Sequence, residues 1–187
     1  MKPFRDPTTG QTWANPRELI DQIVTTHHDH LRMTLPDLDE FADRVADEAS
    51  LPAHLKDRLQ TEVMVLAERL ERHLSEQESC VFPLIRHLEE AVGTSEWAYE
   101  LGDNLEWMID RLSRENHELL NQLDQVRESL RTAGWADDVP TTPDAVGELR
   151  LLCDDLPRHI RLEADVLCPW VQELLQEEGL LSPTGYW

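Results

Sequence analysis

The chain has 187 residues, 40% hydrophobic and 29% charged, which is ordinary for a globular domain and long enough to bury a core without disulfide staples. Acidic residues outnumber basic ones 38 to 17, and the formal charge of −21 opposes binding to nucleic acid or to an anionic membrane. No apolar run approaches the roughly 20 residues needed to span a bilayer, and the N-terminus, Met1-Lys-Pro-Phe-Arg-Asp, lacks the apolar stretch of a signal peptide.

In chain order, Asn15-Pro16 reads as an N-cap with proline at the first helical position, and Ser50-Leu51-Pro52 opens a second helical segment. Thr94-Ser95-Glu96 opens a third after Gly93, and Thr142-Pro143 a fourth after the turn-rich stretch from Gly134 to Pro140. Gly179 reads as the C-terminal stop, followed by an irregular tail. Between these marks apolar residues recur at three and four, as in Leu59, Val63, Leu66, Leu70 and Leu74, or Leu112, Leu119, Leu123, Val126 and Leu130. No segment alternates with the period of a strand. Each helix would run roughly 50 to 60 Å at about 1.5 Å per residue, and short connections make neighbours antiparallel. The expectation is an all-α, up-down-up-down four-helix bundle forming a single domain over 1–187, with the bundle at about 15–178 and the tail at 179–187. Pro36, Pro83, Pro157 and Pro169 predict kinks; alternatively, Pro157 starts a new helix after a break at Asp154-Asp155.

One phrase occurs twice: His73 is followed ten residues later by Pro83, and His159 by Pro169, with acidic residues between. His28 and His117 extend the set, successive members lying 45, 44 and 42 residues apart, close to the midpoints of the four segments. Antiparallel helices of equal length bring their midpoints to one height, which is what a metal site in a bundle core requires. His159 and Glu163, like His73 and Gln77, are four residues apart and leave the same helix face. Imidazole and carboxylate together suit iron, manganese or zinc. Of eight histidines, His27, His30, His54 and His87 read as surface or satisfied core residues. His28 is preferred to His27 by its spacing to Leu35-Pro36 and its place near the apolar face. Four buried imidazoles without a metal would cost on the order of 1 to 3 kcal/mol each, which disfavours a bundle that has lost its ion. Trp97, Trp107, Trp135 and Trp170 read as packing. Cys80, Cys153 and Cys168 cannot all pair within one chain, and no two have close zinc-site spacing, so free thiols in a cytoplasmic protein are expected.

These phrases resemble the hemerythrin-like (HHE cation-binding) family, most closely the di-iron domain of iron–sulfur cluster repair proteins. The resemblance rests on His28 with Arg32, Leu35 and Pro36, on His73 with Phe82-Pro83, on His117 in the acidic context Arg114-Glu115-Asn116-His117-Glu118, and on His159 with Glu163 and Cys168-Pro169. It implies two non-haem irons joined by an oxo or hydroxo ligand, held by His28, His73, His117 and His159 and bridged by carboxylates including Glu163. It also implies a small diatomic or peroxidic ligand (O2, NO or peroxide), or a part in cluster repair and the stress response. Four departures stand out. Gln77 occupies the place of the family's second bridging glutamate, making Glu78, with Glu76 as the other flanking acid, the candidate replacement; a single-metal or asymmetric site is the alternative. Only about fifteen residues precede the first helix, with no counterpart of the cysteine-bearing N-terminal domain typical of repair proteins. No histidine lies near Ala49, and Cys168 replaces the phenylalanine of the Phe-Pro pair. A metal- or redox-dependent sensor without catalysis is the second functional reading, and an uneven apolar face leaves a homodimer open.

Overall fold

The computed structural model describes residues 4–6, 8–91, 98–135, 144–177 and 179–180. The expected helix start at Gly93 to Glu96, that at Thr142-Pro143, Trp97 and the tail beyond Leu180 lie outside the described residues.

A short antiparallel ribbon precedes the helices, with β1 (Phe4–Arg5) paired to β2 (Thr12–Trp13) so that Phe4 faces Trp13. No strand is expected from the sequence, because two residues are too few for alternation to show. Asp6 closes the turn by accepting from Thr8 N–H at 2.7 Å and Thr9 Oγ1 at 2.6 Å. The Thr9 bond, first among several, holds its carboxyl below the usual carboxylate range.

Four helical runs follow among the described residues. The first comprises α1 (Pro16–Gln22), the π-helical segment π1 (Ile23–His28) and α2 (Asp29–Asp47). Asn15 caps it, accepting from Glu18 N–H at 2.9 Å, while Glu18 Oε2 takes the Ala14 N–H at 2.7 Å. The second comprises α3 (Ala53–Glu76), π2 (Gln77–Val81) and α4 (Phe82–Ala91); the third is α5 (Ala98–Thr132); the fourth comprises α6 (Asp144–Leu162), π3 (Glu163–Leu167) and α7 (Cys168–Glu177). Gly134 and Gly179, at φ 76° and 65°, end the third and fourth runs in left-handed turns. In each, the next residue's N–H reaches back five residues, Trp135 to Leu130 O and Leu180 to Leu175 O, both at 2.9 Å.

The chain forms two compact units, one from the described residues within 1–25, 75–116 and 159–187, the other from those within 26–74 and 117–158. Every run contributes to both units, entering them in alternating order, which is the up-down-up-down topology. The first unit is cored by Leu19, Ile20, Phe82, Ile85, Leu105, Leu167 and Val171. In the second, Leu38, Phe41, Leu66, Leu70, Leu123 and Leu152 are buried, and Trp135 meets Phe41 edge-on at 6.4 Å.

Pro36 lies inside α2, and the other three internal prolines are accommodated in two ways. α6 runs unbroken through Pro157, so the alternative of a break at Asp154-Asp155 does not occur. Proline leaves the carbonyl four residues earlier without its helical donor. Here that carbonyl belongs to Cys153, and Arg127 of α5 donates to it. At Pro83 and Pro169 the turn before the proline is π-helical, with Phe82 N–H bonded to Gln77 O and Cys168 N–H to Glu163 O, each five residues back. The wider turn carries the chain past the point where the ring would crowd the preceding carbonyls. The repeated His-to-Pro spacing is thus the sequence form of a π turn followed by proline.

Candidate metal centre

His159 lies in the last turn of α6 and Glu163 is the first residue of π3; both are fully buried, with Nε2 and Oε1 3.1 Å apart. Asn116 of α5, 3% exposed, donates its Nδ2 to the other oxygen, Glu163 Oε2, at 3.1 Å. His28 closes π1 and is also fully buried. His28, His159 and Glu163 each offer a ligand atom, and the three atoms lie within 4.8 Å of one another. A buried carboxylate facing imidazoles is costly unless its charge is neutralised, and a cation does this while satisfying all three donors. Two imidazoles and one carboxylate therefore fit a transition-metal ion. Each of the three π segments among the described residues carries a residue of interest at one end, His28, Gln77 or Glu163, in keeping with the concentration of π turns at functional sites.

The other sequence candidates are not in this group of three. His73 is buried at the end of α3 but is not part of the three-residue group. His117 is exposed on α5, and the inward position is taken by its neighbour Asn116. The signal for Asn116 was present in the sequence: Ile109, Leu112, Asn116, Leu119 and Leu123 continue one three-and-four stripe that His117 leaves. Glu78 is half-buried in π2, whereas Gln77 beside it is 1% exposed, with neither amide atom hydrogen-bonded. Glu76 receives a bond from Arg111, whose Nε also donates to Glu115 at 2.7 Å. The Glu115 bond first and the Glu76 bond second push the Arg111 pKa up, fixing its charge. His27 is buried with Nδ1 3.2 Å from Asp155 Oδ2, consistent with a satisfied core residue. Burial pushes the Cys168 thiol up to about 12, with the Glu163 carboxylate adding to the effect, so it does not supply a thiolate.

No helix among the described residues is long and apolar enough to cross a membrane. The Hemerythrin HHE cation binding domain model matches residues 19–171. Similar proteins include the iron–sulfur cluster repair protein YtfE of Escherichia coli O1:K1, of Enterobacter sp. (strain 638) and of Escherichia fergusonii, each 29% identical over 157 residues. The alignment covers 81% of this chain and 64% of each relative, so it spans less than two thirds of their length. The match over most of the chain, with two buried histidines and a glutamate brought together, establishes that this protein belongs to the hemerythrin HHE cation-binding family.

Proposed function

We propose that the protein binds one non-haem iron through His28, His159 and Glu163, with His73 as the fourth donor, and uses it to engage a small diatomic or peroxidic ligand in the stress response. The buried two-histidine, one-carboxylate group carries this reading, because that donor set with open positions is characteristic of mononuclear non-haem Fe(II). When bound, such an iron supplies open coordination positions for O2, NO or peroxide. The similarity to cluster repair proteins supports a role in supplying or managing iron at damaged clusters.

The protein's own residues favour one iron over two. Glu163 Oε2 accepts the Asn116 amide, which takes up one of its lone pairs, while Oε1 faces His159. The second bridging position carries the neutral Gln77, and the third-run histidine, His117, is exposed. Elemental analysis of protein purified without added metal, with its visible spectrum, tests the reading. One iron per chain without an oxo-bridge band is expected. Two irons with that band would overturn the single-metal assignment, and zinc alone would overturn the ligand-binding role.

A further inference from the structure

The unit containing His159 and Glu163 also holds a cleft of about 270 Å³ with walls formed by Val81, Met108 and Leu112, and with Cys80 and Trp107 at its side. The tryptophan is 57% exposed, against the expectation that it packs, and the Arg111 guanidinium lies 5.6 Å from its ring centre. Charge is confined to three lining residues, Glu76, Arg111 and Glu115, where one cation is shared between two carboxylates. Gln77 lines the interior, with both amide atoms lacking hydrogen-bond partners. Leu112 stands one helical turn before Asn116, so the cleft wall and the amide holding Glu163 share one face of α5.

We propose that this cleft is the port through which small uncharged molecules reach the metal group, with Arg111 as its specificity-determining bar and Gln77 as the polar residue that receives them. The destination rests on the metal reading above; the charge selection belongs to the cleft alone. An anion meets a rim of net negative charge and then apolar walls that do not replace its hydration. An uncharged molecule meets neither barrier, and one resembling hydrogen peroxide can both donate to and accept from the Gln77 amide.

Cys80 reads the cleft directly, because it is exposed while Cys153 and Cys168 are buried. Alkylation of its thiolate by uncharged iodoacetamide and by anionic iodoacetate, each displacing iodide, is compared in about 0.1 M NaCl, where the Debye length is about 10 Å, so that distant charge is largely screened while the rim beside Cys80 is not. After normalisation to glutathione, Cys80 is expected to favour iodoacetamide by about threefold, the size of effect one net charge a few ångströms away supplies in a water-like medium at this salt concentration. In the Glu76→Gln, Glu115→Gln double variant, Arg111 is no longer neutralised and the preference reverses. An equal ratio in both proteins, with helicity retained, overturns the charge selection. In the iron-loaded protein, Arg111→Met is expected to speed nitric oxide association severalfold in stopped flow with iron content unchanged. An unchanged rate overturns the port. If no variant binds iron, the metal reading falls and the port's destination with it, while the Cys80 ratios still decide whether the cleft selects by charge.

Discussion

Between His73 and Pro83 the chain passes from α3 through π2 into α4, and between His159 and Pro169 from α6 through π3 into α7. In both, the π turn opens on the fourth residue after the histidine, and that residue is buried. In one phrase it is Gln77, with no hydrogen-bond partner for its amide; in the other it is Glu163, placed by Asn116 beside His159. The backbone device therefore does not depend on the carboxylate. In both phrases it accompanies the proline ahead, although π1 forms without one, and the chemistry is a separate choice at one side chain.

The sharpest way to break the comparison is to make the phrases alike. Glu163→Gln removes the only carboxylate of the three-residue group and is expected to lower iron affinity by more than about 100-fold, measured by chelator competition. The reverse edit, Gln77→Glu, adds a buried carboxylate. Without metal it should destabilise the protein by roughly 3–5 kcal/mol in urea unfolding at pH 7, and excess iron should restore stability as a second equivalent binds. No second equivalent would show that the π2 position lies outside the metal's reach.

Asn116→Leu leaves the ligands intact but removes the bond to Glu163 Oε2, and should weaken iron binding about 10–100-fold with little change in secondary structure by circular dichroism. Pro157 supplies the contrast, since there a side chain does what a π turn does elsewhere. Arg127→Met leaves the Cys153 carbonyl without that donor and should cost about 1–3 kcal/mol of unfolding free energy.

The smallest effect concerns pH. Burial, chiefly, pushes the Cys153 thiol from 9.0 up to about 11. Above 9.0 the unfolded chain loses this proton while the folded one keeps it, so the thiol's contribution is fully present below 9.0 and is lost as pH rises toward 11. Cys153→Ala should flatten the alkaline limb of the stability profile. An unchanged limb would mean that the thiol does not titrate separately from folding.

Much of the fold was legible because its signals are local. Asn15-Pro16 and Gly179 mark helix ends through backbone chemistry, and the stripe from Leu59 to Leu74 identifies a buried face. The ribbon was not legible, since it depends on Trp13 packing and on its Nε1 bond to Gln22 rather than on a pattern. Within the site, His28, His159 and Glu163 announced themselves by residue type and spacing. Asn116 did not, because an amide attracts no notice beside a histidine; only the stripe distinguishes them. Gln77 was visible as a departure, but spacing alone could not say whether Glu78 turned inward in its place.

The π turns have a consequence for how the sequence can vary. A π turn holds one residue more than the α turn it interrupts, so a single deletion between Gln77 and Val81 could restore regular winding. Everything beyond it would then rotate by about 100° and advance by about 1.5 Å, carrying Phe82 and Ile85 out of the core while bringing Pro83 against the carbonyl the wide turn now avoids. Substitutions at position 77 can adjust the chemistry gradually, whereas length changes there would be abrupt. Natural variation across this segment should therefore be rich in exchanges and nearly empty of gaps.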